Sequence, residues 1–379
     1  MKLDLGLTES EEMLKKAALD FMKRDVPKPV IQSLQESETG YTPELWQKAA
    51  EMGWLGIIVP ENYGGTGGSL TSAGVLLEAL GTGPMPGPYF SSGILSTLII
   101  QETATDEQRK QILPALVQGK HIVTLAMTEP EFGWESSNIR TSLEKKDNHA
   151  IISGLKLFTF DAGAATHFIV VVRSGQGTNS NDGISLVLVD SKAEGVKIRR
   201  LPGFLAGRTF EVSFDAVKVP RNNILGKEGE GWQPLQKAIA KAIPVLCAYK
   251  VGANQSVIEQ TIEYSRTRIQ FGQAIGRFQR VQDWIIDMVN YADAARLTTY
   301  EALWKLDTQR PSEESIHLAK AVTSEAYFEI VTLAHRVFSG ISYSQEHPVS
   351  FHTRASRSLN DYLGDPAFHR QQIAKLLTA

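Results

Sequence analysis

The chain has 379 residues, room for two or three domains at roughly 100–200 residues each. Its hydrophobic share of 42% and charged share of 21% suit a chain that buries a core, and a net charge of −3 gives no field for nucleic acid or an anionic membrane. The single cysteine, Cys247, excludes an internal disulfide and every cysteine-pair metal or redox motif, and points to a reducing, cytoplasmic compartment.

No integral membrane association is expected, because the longest apolar run of the strand region, Phe168 to Val172, is too short to span a bilayer. Asp4, Glu9, Glu11 and Glu12 interrupt any apolar start, so no secretory leader is expected.

Residues 1 to about 122 read as helices. Thr42 before Pro43 predicts an N-cap with proline at the first helical position, and Gly53 stops that helix. Thr105-Asp106-Glu107-Gln108 predicts a capping box. Between them lies the glycine-rich run Pro60 to Gly68. It lacks the lysine of a P-loop and the strand–turn–helix context of a dinucleotide fingerprint, so it reads as a structural loop. Gly81-Thr82-Gly83-Pro84 fails as a phosphate loop for want of donors.

The period changes near His121. The run L-A-M-T-E-P-E-F-G, Leu125 to Gly133, opens a block of short strands: Ala150 to Phe158, Phe168 to Val172, Ile184 to Val189 and Phe210 to Phe214. Gly, Asn, Asp and Ser clusters separate them, as in a sandwich or barrel, and Val219 to Asn223 closes the block. The basic cluster Lys197, Arg199 and Arg200 reads as a solvated strand end, with contact to CoA phosphates as the minor alternative.

From Gly231 the helical period returns. Val245, Leu246, Tyr249, Val257, Ile258 and Ile262 form one stripe; Val281, Trp284, Ile285, Met288, Val289 and Ala292 form a second; Ser312 caps a third helix through Phe338. Such stripes mean packed bundle helices. The pattern is helices, a small β-domain, then a helical bundle. No G-x-S-x-G elbow and no H-E-x-x-H motif occur. His335, His347, His352 and His369 are too scattered for a metal site, so none is expected.

Four segments, in order, resemble the acyl-CoA dehydrogenase family. They are Trp54 to Gly65; Ala126-Met127-Thr128-Glu129-Pro130 with Gly133; Phe214 to Pro220 followed by Asn223 to Gly226; and Arg266 to Gln279. The resemblance covers nearly the whole chain. It implies an α+β multidomain fold: an N-terminal α-helical domain (1–122), a central β-barrel domain (123–228) and a C-terminal four-helix bundle (229–379). It also implies FAD as cofactor, an acyl-CoA substrate, electron-transfer flavoprotein as electron acceptor, and a homo- or heterotetramer in which a neighbouring subunit completes each flavin site.

The resemblance carries over position by position. Leu125 to Gly133 would run along the flavin, with backbone groups of Met127 and Thr128 near the ring. Phe158 stands where the family usually has a tryptophan against the isoalloxazine. Arg268 matches an arginine that reaches the FAD of the adjacent subunit, where its fork suits a pyrophosphate. Phe271 and Gln279 match nearby cofactor contacts.

Other positions depart. Trp134 replaces a serine, Phe160 a threonine, and Arg336 and Ser339 fall where the family often has glutamine and glycine against the adenosine; Gly340 beside them belongs to the same cofactor-binding set. The largest departure concerns the base that removes the Cα proton. Where many members write Y-E-G-T, this chain has Tyr362-Leu363-Gly364-Asp365. Leu363 keeps the backbone N–H that polarises the thioester carbonyl, but has no carboxylate. The alternative position, near Ala242 and Ile243, has none either, and Asp365, two residues from the expected site, is the candidate catalytic base within this chain. The tail Tyr362 to Arg370 resembles a branch that degrades steroid, dicarboxylic or cyclic acyl-CoAs, some of whose enzymes are two-gene heterotetramers. The expected function is FAD-dependent α,β-dehydrogenation of a CoA thioester, with the base from a homologous partner. The alternatives are a structural or CoA-binding subunit that has lost flavin, and altered flavin chemistry such as a monooxygenase.

Overall fold

The computed structural model describes residues 6–175, 183–203 and 208–378. The helices of the first 122 residues are α1 (Glu9–Asp25), α2 (Lys28–Glu36), α3 (Pro43–Glu51), α4 (Leu70–Gly81), α5 (Thr97–Thr103) and α6 (Asp106–Val117). Local caps explain where they start. The Thr42 hydroxyl accepts the Leu45 N–H, and Gly53 (φ 74°) follows the end of α3. Thr105 and Gln108 form the expected capping box on α6. The glycine-rich loop spends its N–H groups on itself: Thr66 donates to Gly56 O, Gly67 to Val59 O and Gly68 to Ile57 O. Donors consumed in this way are not available to cradle a phosphate.

The β-domain is a curled, mixed seven-stranded sheet: β1 (Val123–Ala126), β2 (Ser142–Lys145), β3 (His149–Phe160), β4 (His167–Arg173), β5 (Ile184–Asp190), β6 (Val196–Arg200) and β7 (Thr209–Pro220). β1 runs parallel to β4, and β3 antiparallel to β7 with register shifts between Ile152 and Gly154 and between Lys156 and Thr159. Ala126, Ile152, Phe168, Val170, Val187, Val212 and Phe214 belong to its core. The expected basic strand end is the strand β6, where Arg199 pairs with Glu211 on β7.

The last block comprises α7 (Trp232–Thr267), the hairpin β8 (Ile269–Gln270) and β9 (Gln273–Ala274), α8 (Gln279–Asp307), α9 (Glu313–Phe338), α10 (Pro348–Ser358) and α11 (Pro366–Thr378). Val257, Met288, Tyr327, Ile330 and Val349 form a core shared by α7 to α10. Two sequence expectations need correction. Ser312 precedes α9, but its hydroxyl makes no capping bond. Of the α8 stripe only Met288 is fully buried, and Val289 is exposed, so that face is not closed by the bundle.

The described chain folds as two compact units. One comprises Leu34–Ser69 and Pro86–Ala242; the other comprises Met1–Ser33, Leu70–Met85 and Ile243–Ala379. Within the second, α4 and α7 touch backbone to backbone. A Cβ on Gly252 would lie 1.8 Å from Glu78 O, and one on Gly81 1.9 Å from Tyr249 O.

Candidate active site

In the unit that carries the sheet, β1 delivers Leu125, buried, to the start of the loop 127–134. The loop is pinned from β3. Lys156, with no solvent exposure, donates to Met127 O at 3.1 Å and to Glu129 Oε1 at 2.6 Å, and Leu157 N–H donates to Thr128 O at 2.8 Å. Glu129 also accepts the Arg140 and Thr141 N–H groups at 2.7 and 3.0 Å. Burial pushes the Glu129 carboxyl up, but Lys156 and Thr141 outweigh it and hold it below the usual range. Burial pulls Lys156 down to about 8 against the attraction of Glu129. The N–H groups of Met127 and Thr128 meet no acceptor among the described residues. A pinned loop with open donors is a fixed edge for an acceptor-bearing ligand.

Beside this edge lies an aromatic group. Phe132 and Phe158 are 53% and 47% exposed, and both have left-handed backbone (φ 45° and 52°). Phe132 stands edge-on to Trp134 at 5.8 Å and to Phe158 at 6.1 Å. Trp134 and Phe160 are half-buried, as is Gly133. Two large exposed phenyl groups on strained backbone leave a flat apolar face open, which fits a planar ring system. Sequence reasoning missed Asp161, buried directly after Phe160. It accepts the Ser91 hydroxyl at 2.6 Å, and its N–H donates to Arg208 O at 3.0 Å, fixing the end of β3. Burial raises its carboxyl against the pull of Arg208. The one sequence signal was an acid closing a strand.

In the other unit, α10 and α11 are joined by the turn 359–365. Leu363 is 5% exposed with φ 61°, and its N–H meets no acceptor among the described residues. Its carbonyl accepts from His369 Nε2 at 3.0 Å. Asp365 accepts the Phe368 N–H at 2.7 Å, so it serves as N-cap of α11. Ile243, at the alternative base position, is buried and apolar, and in the sheet-bearing unit Ala242 is likewise. Glu78 on α4 is committed elsewhere. It takes Lys15 and Arg296, each at 3.0 Å, and the Tyr300 hydroxyl. Burial raises its carboxyl, but Arg296, Tyr300 and Lys15 outweigh it, leaving a weaker base than an ordinary glutamate.

The remaining expected residues of this unit are exposed. Arg268 precedes the β8–β9 hairpin, whose two-residue turn is Phe271 (φ 51°, 92% exposed) and Gly272 (φ 78°). Gln279 opens α8, Arg336 lies in the last turn of α9, and Gly340 follows it. Five of the eight left-handed non-glycine residues among those described, Phe132, Phe158, Phe271, Ser339 and Leu363, fall at positions read from sequence as cofactor or substrate positions or family departures there. Such strain persists where the surroundings fix it, as at binding sites.

Comparison with known proteins agrees with this layout. Family models for the acyl-CoA dehydrogenase N-terminal, middle and C-terminal domains match residues 8–120, 124–217 and 229–378. The chain is 30% identical to the mitochondrial isobutyryl-CoA dehydrogenase of Dictyostelium discoideum, over 99% of this chain and 90% of that protein. It is 26% identical to the caffeyl-CoA reductase-Etf complex subunit CarC of Acetobacterium woodii, over 98% of each. The butyryl-CoA dehydrogenase structure from Megasphaera elsdenii superposes with a TM-score of 0.92 at 26% identity, covering 100% of both chains. The chain belongs to the acyl-CoA dehydrogenase family, oxidoreductases that act on CH–CH bonds.

Proposed function

We propose that this chain is an FAD-dependent subunit that dehydrogenates a CoA thioester between Cα and Cβ, beside a homologous chain that carries the catalytic carboxylate. When bound, FAD supplies the acceptor for the hydride that leaves Cβ. Met127 and Thr128 offer N–H groups to the ring edge, Phe158 offers its face, and Arg268 offers a fork to phosphate oxygens of the adjacent subunit's FAD. The Leu363 N–H donates to the thioester carbonyl, so negative charge that develops on that oxygen as Cα loses its proton is stabilised.

The observation that carries the reading is the pairing of an open N–H at Leu363 with the residues found at the expected base positions: Asp365 is a helix cap, and Leu363 and Ile243 are apolar. The site keeps the polarising donor and lacks the proton acceptor. Phe271, 92% exposed, and Ile269, Ile286 and Leu297, more than half exposed, add apolar surface suited to subunit contact. Electron-transfer flavoprotein is the proposed oxidant, in keeping with the Etf complex named for the caffeyl-CoA reductase relative.

The test is a visible spectrum of the chain purified alone and with the product of its adjacent gene, followed by acyl-CoA without oxygen. Flavin bands that bleach only in the paired preparation support the proposal. A second reading, a structural subunit without flavin, draws on Trp134 in the family's serine position. Folded protein that is colourless in both preparations would establish it.

A further inference from the structure

Two lysines lie where lysine is rarely found. Lys250 on α7 and Lys320 on α9 have no solvent exposure, and no carboxylate among the described residues pairs with either. Lys320 Nζ reaches Gly364 O at 2.7 Å, Asn360 O at 2.9 Å and Ser324 Oγ at 3.2 Å. Lys250 Nζ reaches the same hydroxyl at 2.8 Å. Burial pulls both amines down, Lys250 to about 8 and Lys320 well below the ordinary lysine range, with Lys250 adding to the fall of Lys320. As ammonium or as amine, Lys320 still has an N–H for each of the two carbonyls.

The other side of the same turn is held by a histidine pair. His369 is buried and its Nε2 faces Leu363 O at 3.0 Å. A carbonyl only accepts, so Nε2 carries the proton. Burial keeps the ring neutral, which leaves Nδ1 as an acceptor for the Nδ1–H of His317 at 2.8 Å. A Cβ on Gly364 would strike His369 Nε2 at 2.5 Å, so the ring and the turn are in direct contact. Leu363 therefore keeps its left-handed backbone because three carbonyls around it, those of Asn360, Leu363 and Gly364, are each fixed by a buried donor.

We propose that Lys320 and His369 are positioning residues of the reaction, which by gripping these carbonyls hold the turn in the conformation that presents the Leu363 N–H to substrate. The inference rests on the reading that this N–H polarises the thioester carbonyl. It assigns work to Lys320 and His369, with Lys250 and His317 as their buried partners.

The test uses the paired, flavin-loaded protein and four forms: wild type, Lys320→Met, His369→Leu and His369→Gln, the last keeping an N–H donor. Hydrogen exchange of the segment 360–369 reads the turn directly, through the Gly364 N–H bonded to Asp361 O and the His369 N–H bonded to Asp365 O. Flavin reduction by saturating acyl-CoA reads the chemistry. Lys320→Met and His369→Leu should speed exchange in that segment alone and slow reduction by about a hundredfold at saturation, with thioester affinity little changed. His369→Gln should restore both. Unchanged exchange, exchange that rises equally through α7, α8 and α9, or matching behaviour of the two His369 variants would each overturn the proposal. A wild type that binds flavin but is never reduced defeats the dehydrogenase reading instead, while exchange still reports whether the two residues hold the turn.

Discussion

Lys156 Nζ lies 2.6 Å from Glu129 Oε1, and neither side chain has more than slight contact with solvent. The pair joins β3 to the loop that offers the Met127 and Thr128 donors, so its removal is felt at both places. Lys156→Met leaves a buried carboxylate with only backbone donors. It should cost about 3–5 kcal/mol, the range for breaking a buried pair on one side. Urea unfolding measures the loss, and flavin content after purification should fall with it. Equal flavin retention at reduced stability would show that the loop does not need this anchor.

The missing base can be supplied in place. Leu363 already has the backbone conformation of its turn, so Leu363→Glu installs a carboxylate without asking the chain to refold. Flavin bleaching by acyl-CoA in the chain alone should rise by at least an order of magnitude, within the 10²–10⁴ range of general-base catalysis. Asp365→Asn should leave activity of the paired protein nearly intact, and Asp365→Ala should cost about 1 kcal/mol through the lost cap of α11. A drop of several orders of magnitude in Asp365→Asn would instead make Asp365 the proton acceptor.

Acid should weaken the fold before the carboxylates titrate. Burial pulls His352 and His369 down to about 3 each. In the unfolded chain each gains its proton near pH 6.5. From pH 6.5 downward the unfolded state therefore binds about two more protons from these two residues, and stability falls as pH falls, by up to about 1.4 kcal/mol per unit for each. Below their ordinary range, loss of the ionised Glu78 and Glu129 adds to the decline. Denaturant midpoints between pH 7 and pH 5 give the slope, and His352→Gln should reduce it by about one proton.

Phe271→Asp should act on assembly, and on flavin binding through it, without disturbing the fold of the chain. The side chain is 92% exposed at a hairpin tip and stands edge-on to Phe278 at 6.0 Å. Circular dichroism should be unchanged. Sedimentation should show a smaller species, and flavin should be lost, since Arg268 sits at the base of the same hairpin. An unchanged oligomer would remove this tip from the subunit contact.

What sequence alone could reveal depended on range. The caps at Thr42 and Thr105 were legible because three neighbouring residues decide them. β2 was not, since four mostly exposed residues carry little alternation, and of β6 only the basic strand end was read. The absence of a carboxylate at Leu363 could be read from letters. Its left-handed backbone could not, because leucine seldom adopts it and the donors that hold the surrounding carbonyls, Lys320 among them, come from residues distant in sequence. Lys250 and Lys320 drew no reading from the sequence, and nothing local signals that their amines converge on Ser324. The α8 stripe was visible, but whether its neighbour lies in the same chain was not.

The contact of α4 with α7 has a bearing on how this protein would be judged by large-scale mutagenesis. At Gly81 and Gly252 even a methyl group collides with main-chain oxygen, so both sites should tolerate no replacement at all. A map of permitted substitutions would therefore rank two chemically inert positions beside the reactive ones. Intolerance there reports interhelical spacing, and a search for function guided by intolerance alone would be drawn to a packing contact.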